Sequence, residues 1–255
     1  MRVGFAGAGS MAGAMARGWA ASTDGPSAML VCDIDRGRAD ELAEEIGGQT
    51  RDSLAELGAG ADVVVLAVKP AALDDAAREL AQTARAVVSV LAATPIARLA
   101  EALPGVPCLR VMPNQPVEVR RGVLCYVQAE GMPEELSERL LGLLGLLGTL
   151  VPIAEDEIDA AMAVMSCSPA YVALFAEALA QAGERAGLDA GTAAELVAEA
   201  FAGTAELLTK RGPAAIRRAV APPGGATEAG LEALERRQVP EALAAAVEAS
   251  LERFR

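Results

Sequence analysis

The sequence predicts an α/β architecture: a doubly wound parallel sheet over residues 1–154, then an all-helical domain over residues 155–255. Three observations lead there. Short, continuously apolar runs alternate with helical stretches through the first half. The joins between them are short, as in a parallel sheet covered by helices on both faces. Beyond about residue 155 the strand signal vanishes.

The elements follow in order. RVGFA at 2–6 reads as a buried strand, Gly7-Ala8-Gly9 as a turn, and the Ala/Met-rich stretch 10–21 as a helix. A second apolar run, 29–32, stops at Asp33, and 37–46 has helical spacing, with Leu42 and Ile46 four apart. DVVVLAV at 62–68, apolar and β-branched, is the strongest strand. A helix over 71–84, a strand over 86–91 and a short helix over 96–103 follow, the last stopped by Pro104-Gly105. Strands at 108–112 and 123–127 and a helix at 134–147 complete the first domain. In the second, 158–187 and 192–211 read as long helices, with Gly187 and Gly212 as stops. A glycine-proline loop, 221–226, leads to two more helices. These helices carry more Ala and Leu than a surface helix needs, which predicts packing on each other or on a second copy of the chain.

Composition excludes several functions. Apolar residues make up 53% of the 255, enough for packed cores, while aromatics are only 3%, too few for base-stacking platforms. The net charge of −13 and the absence of any Lys/Arg run longer than two argue against nucleic acid and anionic membranes. The chain has no histidine, so a His general base, a Ser-His-Asp triad and His-ligated zinc are all excluded. No metal is expected. Lys69 and Lys210 are the two lysines. The four cysteines are widely spaced, without a CxxC pair, and read as small buried hydrophobes in a reducing compartment. Arg17 and several glycines interrupt the apolar N-terminal run, and no run is read as reaching transmembrane length, so a cytoplasmic protein is expected.

Gly7-x-Gly9-x-x-Ala12 follows a strand and opens a helix, the context in which this spacing binds a dinucleotide. The first glycine allows the turn, the second admits a pyrophosphate to the backbone, and the small third residue lets helix and strand pack closely. The free N–H groups of the helix start meet the anion. Cofactor contacts are therefore expected from Gly7, Ala8, Gly9, Ser10 and Met11. Asp33, 21 residues after Ala12, would accept hydrogen bonds from the adenosine ribose and repel a 2′-phosphate. Arg36 and Arg38 would instead clamp that phosphate, or merely begin a solvated helix, so NADH and NADPH both stay open.

Three strand ends carry unusual residues: Lys69-Pro70, Ala92-Ala93-Thr94 and Met112-Pro113-Asn114-Gln115-Pro116. They read either as stiff walls of a nicotinamide pocket or as ordinary turns. In the helical half, Gly224-Gly225-Ala226-Thr227 at a helix start forms an anion nest of backbone N–H groups, or else Thr227 is simply an N-cap.

GAGSMA (7–12), AVKP (67–70), VMPNQPVEVRRG (111–122), SPAY (168–171) and PPGGATEAGLEAL (222–234), in this order and spacing, resemble the pyrroline-5-carboxylate reductases over nearly the whole chain. The resemblance implies a Rossmann domain, a helical domain interlocked with a partner subunit, an active site at the dimer interface, and a homodimer or higher homo-oligomer. It implies reduction of 1-pyrroline-5-carboxylate to L-proline with NADPH or NADH. By the same resemblance, Ala67, Val68, Lys69 and Pro70 lie by the cofactor, and Met112 and Asn114 by the nicotinamide. The amides of Gly224, Gly225, Ala226 and Thr227 hold the substrate carboxylate, and Thr227 hydrogen-bonds the imine nitrogen as the catalytic group. The sequence departs from the family pattern at Gln115 (usually Thr), Met165-Ser166-Cys167 (usually a Ser/Gly run), Pro222 (usually Ser) and Ala93 (usually Gly). Two alternatives follow: a reductase of another cyclic imine acid, or a non-catalytic dinucleotide-binding dimer. A β-hydroxyacid dehydrogenase would need a lysine on the first long helix of its second domain, and residues 151–209 contain none.

Overall fold

A computed structural model describes residues 1–254 of the chain. The elements of the first part are β1 (Arg2–Ala6), α1 (Ser10–Ala20), β2 (Ala28–Cys32), α2 (Arg36–Glu45), β3 (Gln49–Thr50), α3 (Leu54–Gly60) and β4 (Val63–Leu66). They continue with α4 (Leu73–Leu80), β5 (Val87–Ser89), α5 (Ile96–Ala102), β6 (Cys108–Pro113), β7 (Gly122–Gln128), α6 (Glu134–Gly145), β8 (Gly148–Pro152) and α7 (Ile158–Ala161). A helical part follows: α8 (Ser168–Arg185), α9 (Ala190–Lys210), α10 (Pro213–Val220), α11 (Ala226–Arg236) and α12 (Val239–Phe254).

The eight strands form one sheet in the order β3-β2-β1-β4-β5-β6-β7-β8. The chain winds outward from β1 in both directions, which leaves the ends of β1 and β4 beside a crossover, where such sheets bind ligands. β4 is apolar at every position because both its faces are covered. Val63 and Val65 of β4 enter one core with Phe5, Met15 and Trp19, while Val64 and Leu66 enter the opposite core with Leu57, Leu80 and Leu99. Trp19 secures α1: it is 2% exposed, its ring centroid lies 5.9 Å from that of Phe5, and its Nε1 donates to the Leu143 carbonyl at 2.9 Å. Burying a side chain of this size contributes roughly 3 kcal/mol.

Several expectations need correction. The sheet is not wholly parallel: β7 runs antiparallel to β6, and β8 then runs parallel to β7. A run of apolar residues carries no direction, and the 3-10 turn at Gln115–Val119 is too short for a crossover. Two short strands (β3, β8) and two helices (α3, α10) were not read from the sequence. β3 spans only two residues, and the edge strand β8 is half exposed, so neither has an apolar signature. The single helix expected over 158–187 is divided by a π-helical turn at Met162–Ser166. Finally, the helical stretch Glu155–Arg185 is by length and composition apolar enough to cross a membrane, with mean hydropathy 1.5 over its best window. The apolar side chains that produce that value serve two places, since Ile158, Met162 and Met165 pack with Met112 and Cys125 in a third core while Val172 and Leu174 are exposed.

The described residues form two compact units, residues 1–166 with 254, and 167–253. The third core places the boundary between units after the π turn. In the second unit, α8 and α9 pack on each other as consecutive helices, yet only Ala193 and Val197 of α9 are buried, and α8, α10, α11 and α12 bury no residue. Val172, Leu174, Phe175, Leu179 and Leu196 are all at least 40% exposed.

Candidate active site

β1 delivers the chain into the glycine turn, and Gly7 takes φ +105°, where a Cβ would stand 2.6 Å from the Ala67 carbonyl oxygen. Only glycine meets both constraints. Gly7 N–H donates to the Cys32 carbonyl at 2.8 Å, which ties the turn to the end of β2. Gly9 caps α1 with no side-chain hydrogen bond, and a Cβ built on it meets nothing within 4 Å. The helix therefore presents its first amides, unshielded, to the space above the sheet, an arrangement that suits a pyrophosphate.

A cavity of about 540 Å³ opens here, lined by Gly7, Gly9, Asp33, Ala67, Val68 and Lys69 among the expected residues. Ile34, Arg38, Asp52 and Glu79 also line it; apart from Arg38, no local pattern in the sequence marked them. Asp33 is held rigidly: Oδ2 accepts from Ala8 N at 2.7 Å and Oδ1 from Asp35 N at 2.8 Å, and its side chain is 9% exposed. Arg36 turns away to pair with Asp40 and Asp52 and to donate to Thr50 Oγ1, and it does not line the cavity. Ser10 and Met11 stand on the first turn of α1, and Pro70 begins the 3-10 turn after β4.

Met112 and Asn114, expected by the nicotinamide, turn their side chains into the protein. The Met112 side chain is 3% exposed and packs in the third core. Asn114 is 6% exposed, and both ends of its amide are used inside the protein: Nδ2 donates to the Met165 carbonyl at 3.0 Å and Oδ1 accepts from Val123 N at 2.8 Å. Asn114 thus braces the π turn against β7. π turns of this kind recur at functional sites. Of the altered residues, Met165 sends its bulk into the third core at 9% exposure, and Gln115 bridges Ser10 Oγ at 3.4 Å and Glu118 at 3.1 Å.

In the helical unit, Gly224 takes φ +75° and Gly225 caps α11. Thr227 lies inside the first turn, so the N-cap reading of Thr227 is corrected: Gly225 holds that position. The Gly224 N–H donates to the Glu228 carboxylate at 2.6 Å, so the nest already grips a carboxylate of its own chain. Cys32, Cys108 and Cys125 are buried, and burial pushes the Cys108 thiol up to about 11. Among the described residues, no group of three or more Cys, Asp or Glu is placed to hold a metal ion.

The doubly wound sheet, the open helix end and the acid at the end of β2 define a dinucleotide-binding oxidoreductase of Rossmann type with a helical C-terminal domain. Comparison with known proteins narrows this. Residues 2–93 match the family described as NADP oxidoreductase, coenzyme F420-dependent, and residues 155–255 match the pyrroline-5-carboxylate reductase dimerisation family. Pyrroline-5-carboxylate reductase of Thermus thermophilus is 35% identical, with 99% of this chain and 97% of that protein covered. The enzyme of Corynebacterium melassecola is 32% identical over 97% and 95%. The structure of 1-pyrroline-5-carboxylate reductase from Streptococcus pyogenes superposes with a TM-score of 0.88 at 28% identity, covering 100% of this chain and 98% of that one. That of Plasmodium falciparum pyrroline carboxylate reductase, with NADP bound, has a TM-score of 0.86 at 26% identity, covering 100% and 97%. The chain belongs to the pyrroline-5-carboxylate reductase family.

Proposed function

We propose that this chain reduces 1-pyrroline-5-carboxylate to L-proline with NADPH or NADH. One observation carries this reading: the end-to-end similarity to pyrroline-5-carboxylate reductases takes in both the glycine turn at 7–12 and the loop at 222–227. A bound reduced nicotinamide would supply a hydride to the carbon of the protonated imine, whose nitrogen keeps its proton and becomes the amine of proline. Residues 1–154 bind the dinucleotide: Gly7 and Ala8 shape the turn, their amides held by the Cys32 carbonyl and the Asp33 carboxylate, Gly9, Ser10 and Met11 offer the pyrophosphate the amides of the helix start, Asp33 receives the ribose, and Ala67 to Pro70 form the wall across β1. Met112 and Asn114 act through the backbone they position rather than by side-chain contact. Residues 155–255 dimerise and hold the substrate: the amides of Gly224, Gly225, Ala226 and Thr227 take its carboxylate in place of that of Glu228, and the Thr227 hydroxyl bonds the imine nitrogen. A protonated imine is already electrophilic, so a chain without histidine needs only to position it. The protein works as a homo-oligomer in the cytoplasm, without nucleic-acid or membrane partners.

The change at Met165 does not argue for a different imine acid, because its side chain fills the third core. The test is loss of reduced-nicotinamide absorbance with 1-pyrroline-5-carboxylate. Turnover is expected, and Thr227→Ala is expected to lower kcat roughly 10- to 100-fold, the value of one hydrogen bond to a charged group, with dinucleotide affinity unchanged. Dinucleotide binding without turnover would turn the reading toward a different imine acid or a non-catalytic dimer.

A further inference from the structure

Resting on that reading of the cavity, we propose that the site selects NADH over NADPH, with Asp33 as the specificity-determining residue and Ile34 as the position that withholds a phosphate-binding cation. The sequence alone leaves the acid and the two arginines in balance. The geometry breaks the balance, because the acid is fixed and the arginines are engaged.

Asp33 cannot swing aside for a 2′-phosphate. Its two oxygens are anchored on the amides of Ala8 and Asp35, and its side chain is only 9% exposed. Each carboxylate oxygen retains a second lone pair, so the group can still accept the two ribose hydroxyls. A phosphate at the same place would bring nearly two negative charges against an immovable third.

The cations do not offset this. Arg36 is held by Asp40, Asp52 and Thr50 and lies outside the cavity lining. Arg38 lies within it, but its Nε donates to Asp35 at 3.2 Å and its Nη2 stands 3.6 Å from Asp33. Lys69 follows β4, which is separated from β2 by β1, so its backbone leaves the sheet roughly two strand spacings, about 10 Å, from the end of β2. Asp52 and Glu79 add two further carboxylates to the lining. The thiol of Cys32, at the cavity edge, registers the local field: burial pushes it up first, Glu79 and Asp33 push it further, and Arg36 and Asp52 act in opposite directions. Arg36 and Arg38 already have carboxylate partners, which a 2′-phosphate would have to displace. The fixed, buried carboxylate is the term that does not rearrange. Immediately after it, where an arginine would meet a 2′-phosphate, stands Ile34, fully exposed at 103%. An apolar side chain there suits the adenine face and offers the phosphate nothing.

The experiment is equilibrium binding of NADH and NADPH to the intact protein, followed by nicotinamide fluorescence without imine substrate. NADH is expected to bind at least tenfold more tightly. Asp33→Ser is expected to reduce that preference at least tenfold. Ile34→Arg, which changes only an exposed side chain and leaves the fold untouched, is expected to tighten NADPH about tenfold with NADH affinity unchanged. NADPH binding as tightly as NADH to the unaltered protein overturns the proposal, as does an unchanged ratio in both variants. An NADPH preference accompanied by turnover of 1-pyrroline-5-carboxylate sinks the selectivity and leaves the reaction standing. An NADH preference without turnover does the reverse.

Discussion

Ala93 shows how a single side chain carries a local cost. It sits at φ +52°, in the left-handed region that favours glycine. The Cβ of an L-residue is crowded there, at roughly 1–2 kcal/mol. Ala93 is exposed, so nothing packs against its methyl to recover that cost. Ala93→Gly is therefore expected to stabilise the protein by about 1 kcal/mol, offset in part by the added freedom of the unfolded chain. Thermal unfolding would show a rise of about 2–4 °C; a fall would mean the alanine has partners beyond its own turn. Asp33 and the glycine turn were legible in the sequence because their chemistry is local: a strand, a tight turn and a helix start supply everything the motif requires. Met112, Asn114 and Met165 were not. Their neighbours come from three separate segments, and a linear pattern does not reveal that Asn114 spends its amide on the carbonyl of Met165 and the N–H of Val123.

At the level of elements, one ion pair, its arginine buried and its glutamate about a third exposed, joins three segments. Arg110 of β6 is 3% exposed and meets Glu155, in the turn after β8, and Glu155 also accepts from the N–H of Ile96 at the start of α5, at 3.0 Å. Arg110 Nε and Glu155 Oε2 are buried without a hydrogen-bond partner among the described residues. Such a pair is weak evidence for stability as a whole, but removing one partner strands the other. Glu155→Ala is expected to cost about 3–5 kcal/mol in urea unfolding. Adding Arg110→Met to it should restore part of the loss, whereas a double variant weaker than the single would show that the guanidinium packs well by itself. The elements that escaped the sequence reading share a cause. β3 and β8 are short or half exposed, so burial never wrote an apolar run into them, and the antiparallel entry of β7 depends on the turn after β6, not on the strand's own composition.

For the whole molecule, the two units differ in how they are stabilised. The sheet unit has a core on each face, whereas the helical unit leaves Val172, Leu174, Phe175 and Leu179 at 40–63% exposure and buries no residue of α8 completely. An apolar face of this kind, in a segment that matches a dimerisation family, is completed by a second copy of the chain. Stability then depends on mass action. The unfolding temperature is expected to rise with protein concentration, in melts spanning a thousandfold range followed by circular dichroism. A flat response would show that the helices are self-sufficient. The sequence pointed to this surplus of Ala and Leu but not to the face that carries it, since helical spacing alone does not say which side meets its own chain. A self-matching face also does not inspect the rest of the subunit it accepts. A chain altered in the loop at 224–227 still presents intact α8 and α9 helices, so it enters mixed pairs with unaltered chains instead of being left out. Damage to one copy of the gene would thus reach the product of another through shared assembly.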